Sequence, residues 1–164
     1  MVEETNANSL QDRERQLALT TVAIRNSFSA NPADAFLWLL FYSAQTATNG
    51  FQAEYLSYVE RSYQLGPREG WIALRRNRMA LAMFPFASES LRDMIVSEFV
   101  GLVDAGLIED AASNLTGVGW PYKDLLLASL ETADIVSREA FAKRLVKDGV
   151  KVPVPGVQTN ERPW

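Results

Sequence analysis

The sequence predicts an all-α protein in which antiparallel helical hairpins stack into a short solenoid of about seven helices. Three observations support this prediction. Apolar residues recur at helical spacing along most of the chain, few stretches resemble strands, and the segment around Pro32 recurs around Pro67, 35 residues later. A period near 35 with two helices per unit is typical of hairpin repeats, in which each unit buries its apolar face against the next.

The first two predicted helices begin near Leu10 and at Pro32. Over about 10–29, one face of the helix has apolar or small residues at helical spacing: Leu17, Thr21, Ile24 and Phe28. Asn31 is placed to cap the next helix, with Pro32 at its first position and Asp34 in its first turn. The run 35–42, AFLWLLFY, is less than half of the roughly 20 residues that cross a bilayer, so it predicts a helix buried on all sides.

Three further helices are predicted in the middle of the chain. A turn at Asn49-Gly50 precedes a helix over 51–65, and Gly66-Pro67 opens the next helix in the way that Asn31-Pro32 opens its own. Ser88 is placed to cap a long helix that runs to Ala105. Gly106 follows as a left-handed cap.

The last third of the chain predicts shorter helices over 108–115, 121–132 and 137–148, the last ended by Gly149. Residues 1–9 are polar and acidic and are predicted to be disordered, and residues 150–164 form an extended tail that contains three prolines. The expected organisation is therefore a disordered start, one helical-repeat domain over 10–149 and a tail.

A 35-residue offset aligns several matching residues, among them Phe28 with Tyr63, Phe36 with Trp71 and Leu39 with Leu74. Over about 10–105 the chain resembles a tetratricopeptide-type repeat, because a helix ends before each proline and the next helix opens with aromatic and apolar residues. Trp38, six residues after Pro32, stands where that family often has its first-helix tryptophan, and Ser27 and Ser62 stand where the second helix needs a small residue.

The sequence also differs from the family's usual pattern at several positions. Ala73 stands where the second unit should have Trp, and Tyr42 and Asn77 occupy positions that the family usually keeps small. The resemblance implies a right-handed solenoid whose first helices line a concave groove. That arrangement would place Trp71, Leu74 and Arg78 in the groove.

Composition excludes several classes of function. Sixteen basic against twenty acidic side chains give a net charge of −4, so nucleic acid is not an expected partner. The absence of Cys and His excludes thiol chemistry, disulfides, imidazole bases and most zinc sites, and no cofactor is expected. The first residues, MVEETNANSL, lack the pattern of an export signal, and no segment predicts membrane insertion. The sequence leaves the compartment open: cytoplasmic by default, extracytoplasmic if an anchor precedes this segment.

The candidate binding residues lie on the helix that follows Pro67. Trp71, Arg75 and Arg78 fall at i, i+4 and i+7, with Leu74 beside them. An aromatic ring with guanidinium groups suits a carboxylate, a phosphate or an acidic peptide through stacking and bidentate hydrogen bonds. In the alternative interpretation the arginines pair with Glu60, Glu69 or Asp93 and cover apolar surface with their stems.

Three other parts of the chain have some feature of a functional site. The loop 117–120, GVGW, lacks the Lys-Ser/Thr of a phosphate loop, and the acidic residues Asp104, Glu109 and Asp110 are expected to serve helix starts. The tail segment 152–157 is extended and proline-containing, so it either docks into a neighbouring subunit, occupies the chain's own groove or is dispensable.

The leading functional hypothesis is a non-enzymatic module that binds or scaffolds a protein or peptide. It rests on the 35-residue self-match together with the lack of a catalytic constellation. One alternative is a self-associating structural domain, which would form a homo-oligomer, or the carboxyl-terminal cap of a larger helical assembly. Another is a small enzyme or binder that holds an acidic metabolite in an arginine-lined pocket.

Overall fold

The computed structural model describes the backbone of residues 2–67 and 69–158, and their side chains except those of residues 2–10, 13 and 14. Regular structure in these ranges is entirely helical, which confirms the all-α prediction. The described part contains eight α-helices, one for each of the helical segments predicted above: α1 Val2–Ala30, α2 Ala35–Asn49, α3 Leu56–Leu65, α4 Gly70–Ala82, α5 Glu89–Asp104, α6 Ile108–Thr116, α7 Lys123–Ser129 and α8 Ile135–Lys147. None of these helices is both long and apolar enough to cross a bilayer.

The chain divides into two compact units, Met1–Pro67 and Arg68–Trp164. The single helical domain predicted over 10–149 is thus divided after Pro67. The structure also extends α1 back to Val2, whereas the polar composition of residues 1–9 predicted disorder. Stacking of one hairpin on the next and the hand of the solenoid remain predictions.

The first unit is built around α2, which packs against both α1 and α3. Ile24, Phe41 and Ala44 form its buried cluster, and the rings of Phe28 and Tyr58 pack against it. The predicted apolar helix is therefore a core element. It is not buried on all sides, however: within the run 35–42, Ala35, Leu39, Phe41 and Tyr42 are buried and the other four are half-buried.

The helix starts at Pro32 and Pro67 differ in detail from the prediction. Both prolines lie in turns, and α2 and α4 begin three residues later, so the two starts keep the predicted spacing. Asp34 is the N-cap of α2, with its Oδ1 accepting the backbone N–H groups of Phe36 (2.8 Å) and Leu37 (3.2 Å). Asn31 instead closes α1 by donating its backbone N–H to the carbonyl of Ser27. Asp34 suits this position because its carboxylate accepts two amide hydrogens and its negative charge lies at the positive end of the helix dipole.

The second unit is built around α5, which contacts α4, α6, α7 and α8. Phe99 is fully buried at its centre and meets the Phe141 ring edge-on, with 5.9 Å between ring centroids. The predicted ends of α5 are confirmed. Ser88 Oγ accepts the backbone N–H of Leu91, and Gly106 adopts a φ of 74°, the left-handed region in which glycine is favoured.

The predicted helix 121–132 is broken into three short pieces. A 3-10 turn at Trp120–Tyr122 precedes α7, and a second one at Leu130–Thr132 follows it. The chain approaches itself closely before the first of these turns, where the Gly119 backbone N–H donates to the carbonyl of Asn114 over 2.8 Å. A Cβ on Gly119 would lie 2.8 Å from that same oxygen, so this loop requires glycine for packing.

Candidate binding surface on helix α4

Helix α4 has a buried side and an exposed side. The buried side consists of Ile72, Ala73, Arg76, Asn77, Ala80 and Leu81. Trp71, Arg75 and Arg78 are exposed, and Trp71 leaves 54% of its surface accessible. Leu74 is half-buried and lies at the border between the two sides. The four candidate residues, Trp71, Leu74, Arg75 and Arg78, are called the α4 surface below.

The α4 surface is short and regular. At 1.5 Å of rise per residue, Trp71 and Arg78 are separated by about 10 Å along the helix axis. An indole at one end and a guanidinium at the other match the spacing of a few residues of a bound segment. Because the side chains stand on one helix, their backbone positions are fixed before any ligand arrives.

A buried ion pair, which no sequence pattern had indicated, lies beneath this surface. Arg76 is completely buried, and its Nη2 and Nε donate to Oε1 of Glu98 on α5 over 2.5 Å and 3.0 Å. Glu98 itself is 8% exposed. The alternative interpretation concerned Arg75 and Arg78, which it paired with Glu60, Glu69 or Asp93, and it did not involve Arg76. The position of Arg76 in the sequence could have indicated its burial, because it lies four residues after Ile72, on the apolar side of α4.

A second buried polar contact joins three helices. The Asn77 side-chain Nδ2 donates to the backbone carbonyl of Ile95 on α5 (3.0 Å), and Nδ2 of Asn114 on α6 donates to Oδ1 of Asn77 (3.2 Å). Asn77 and Asn114 are both buried. A buried amide needs such partners, since leaving one unpaired costs free energy. These bonds hold the inner side of α4 in one orientation.

A wide, open groove of about 490 Å³ runs along α5 and α7. Its wall is mainly apolar and includes Val96, Val100 and Leu125. At one end Arg92 donates from Nε to the carbonyl of Phe84 (3.1 Å) and from Nη2 to the carbonyl of Pro85 (2.9 Å). The guanidinium therefore braces the turn that follows α4. Sequence reasoning did not single out this groove.

Two of the acidic residues near the α5–α6 junction make contacts with α8 and its start. Asp104 Oδ1 accepts the backbone N–H of Asp134 over 2.8 Å, and Glu109 Oε1 accepts from Arg144 Nη1 over 2.6 Å. Arg144 also bonds Asp148, and this hydrogen bond is the main cause that raises the pKa of Arg144 above its ordinary value. Within the described residues, no group of three or more acidic side chains is arranged to hold a metal ion.

The tail, as far as Gln158, lies against its own unit. Val154 is buried, and Arg138 Nη1 on α8 donates to the carbonyl of Pro155 over 2.7 Å. The tail therefore docks on α8 of its own chain, and its placement in a groove or in a neighbouring subunit stays a prediction. Residues 159–164, which the sequence analysis included in the tail, lie outside the described residues.

Comparison with known protein families, with characterised proteins and with solved structures returned no significant match.

Proposed function

We propose that this protein is a non-enzymatic binding module whose α4 surface recognises an acidic peptide segment of a partner protein. The single observation that supports this most is that Trp71, Arg75 and Arg78 are exposed together on one side of α4. A guanidinium and a carboxylate form charge-assisted, often bidentate hydrogen bonds, and an exposed indole supplies a flat apolar face for stacking.

The buried side of α4 supports the same proposal. Arg76 and Asn77 tie the helix to α5 through side-chain hydrogen bonds, and Asn114 adds a tie to α6. A helix held in this way does not have to be ordered when a ligand binds, and the entropy cost of association falls. The chain as a whole is acidic, so the α4 surface is a local basic site on an acidic protein.

A peptide suits this surface better than a small metabolite does. Small ligands bind in concave sites that cover most of their surface. Arg75 and Arg78 are exposed on a convex helix, which favours an extended or helical segment that spans several side chains. The alternative of an enzyme with an arginine-lined pocket therefore gains no support from their placement.

The test is a selection of peptides by display on the immobilised chain, followed by fluorescence anisotropy with the selected peptides. We expect acidic sequences to be enriched. Arg78→Gln should weaken binding about tenfold or more, because a charge-assisted hydrogen bond contributes about 1.5–3 kcal/mol. Trp71→Ala should weaken binding roughly two- to tenfold, because an aromatic stacking contact contributes about 0.5–1.5 kcal/mol. Arg15→Gln, at an exposed arginine of α1, is the matched control and should leave affinity unchanged. Selected peptides with no acidic bias, or equal affinity for all three variants, would refute the proposal.

A second function, self-association as a structural domain, is favoured by a different observation. The second unit exposes several large apolar side chains, among them Phe86, Leu125, Val136 and Val146. Single exposed apolar residues are ordinary, whereas a contiguous apolar patch is typical of a surface that another chain covers. Light scattering across a hundredfold range of protein concentration tests this function, and a constant monomer mass would exclude it.

A further inference from the structure

The tail makes specific contacts with α8. Val154 leaves only 4% of its surface exposed. Arg138 donates from Nη1 to the carbonyl of the next residue, Pro155, over 2.7 Å. These contacts hold the segment by one buried apolar side chain and one backbone carbonyl, a combination that many peptide-binding sites use.

The position after Pro155 favours glycine because of its backbone conformation. Gly156 has a φ of 74°, a conformation that other residues rarely adopt. A Cβ on Gly156 would lie 2.8 Å from Arg138 Nη1 and 3.6 Å from Ile135 Cδ1. The backbone N–H of Val157 donates to the carbonyl of Val154 over 3.1 Å, so this segment forms a tight turn. The tail site, defined as the α8 surface of Ile135 and Arg138, therefore fits the sequence Val-Pro-Gly in a turn.

The tail reaches this site through one turn. Gly149 adopts a φ of 77°, and the backbone N–H of Val150 donates to the carbonyl of Leu145 over 2.8 Å, which closes the end of α8. A change at this turn is enough to direct the tail away from its own helix. None of the contacts at the tail site depends on which copy of the chain supplies the tail.

We propose that the tail site is an interchain docking site, in which the Val-Pro-Gly segment of a second copy of this chain replaces the chain's own segment. The proposal goes beyond peptide binding at α4 and involves a separate surface. Exchange of identical segments preserves every contact, so it has a low cost, and the prolines Pro153 and Pro155 limit the entropy lost on docking.

The exposed residues beside the tail site support a second copy as the occupant. Ile135 and Val136, at the start of α8, remain 40% and 69% exposed while the chain's own tail is docked. In a reciprocal exchange each tail reaches the partner's α8 near this end. The two pairs of apolar side chains are then available to cover one another. The chain's own tail is favoured at low concentration, because a short tether gives an effective concentration of about millimolar.

Complementation between two full-length variants tests the proposal. The acceptor, Val154→Asp, has an intact site and a defective tail, and the donor, Arg138→Ala, has an intact tail and a defective site. We expect each variant alone to be monomeric at about 100 µM, below the effective concentration of a tethered tail, and an equimolar mixture to form a one-to-one complex in light scattering. A donor that also contains Val154→Asp should form none. A mixture that stays monomeric at this concentration overturns the proposal.

A synthetic peptide gives an independent measurement. The labelled peptide of residues 151–158, KVPVPGVQ, should bind the acceptor at least about tenfold more tightly than it binds the wild-type chain, whose own tail competes for the site. The same peptide with Gly156→Ala should bind neither. Equal affinity for acceptor and wild type contradicts the proposal. Circular dichroism checks the fold of each variant, and Val154→Ser replaces Val154→Asp as acceptor if the latter has lost its helices. Trp71→Ala should leave both measurements unchanged, which separates this site from the α4 surface.

Discussion

The buried ion pair between Arg76 and Glu98 makes a quantitative prediction possible. We consider Arg76→Met and Glu98→Leu, which replace each charged side chain by an apolar one of similar size. Either single change removes the ion pair and leaves the opposite charge buried. The cost should be large because Arg76 has no exposed surface and its guanidinium makes two hydrogen bonds to one carboxylate oxygen.

Removing one member of a buried ion pair destabilises a protein by about 3–5 kcal/mol. Each single variant should therefore lower the free energy of unfolding by about this amount, a large part of the 5–15 kcal/mol that is typical of a folded domain. With a urea dependence of about 2–3 kcal/mol/M, the midpoint of unfolding should fall by roughly 1–2 M. The double variant should be no less stable than either single variant, since it contains no unpaired charge.

Urea unfolding followed by circular dichroism at 222 nm measures all four members of this double-mutant cycle. The matched control is the surface pair of Arg144 and Glu109, whose carboxylate is largely exposed. Changing Glu109→Leu should shift the midpoint far less than Glu98→Leu does. The reasoning is refuted if the two glutamate variants lose similar stability, or if the double variant loses the sum of the two single losses.

Three smaller predictions use the same unfolding measurement. Asp34→Ala removes the side-chain cap of α2 and should cost about 1 kcal/mol; an unchanged midpoint would show that this cap contributes nothing. Gly106→Ala places a Cβ on a backbone with a φ of 74° and should cost about 1 kcal/mol, whereas Gly101→Ala, inside α5 with open space around it, should be neutral or stabilising. Equal effects at the two glycines would contradict the argument from backbone conformation. Asn114→Ala leaves the Oδ1 of Asn77 without this donor and should cost about 1–3 kcal/mol, a loss that should not appear at the exposed Asn26→Ala.

The exposed part of the α4 surface followed from the sequence because helical periodicity alone separates two sides of a helix. Trp71, Arg75 and Arg78 are exposed as that pattern requires. Leu74, the fourth candidate residue, is half-buried instead of exposed. What the pattern could not supply is the role of Arg76, because a charged residue on an apolar side can be buried only if another element provides its partner. That partner, Glu98, belongs to a different helix.

The sequence by itself determined the helical class, the ends of helices such as α5, and the exposed side of α4. These features depend on hydrogen bonds and side chains only a few residues apart, as at Ser88 and Gly106. The tertiary structure decided which charges are buried and where the tail docks. Those outcomes join distant residues, Arg76 with Glu98 and Arg138 with Pro155, and whether each contact forms depends on how whole helices pack. No local pattern specifies such packing, because the free energy of burying a charge or a tail residue is set by the neighbours that surround it in the folded chain.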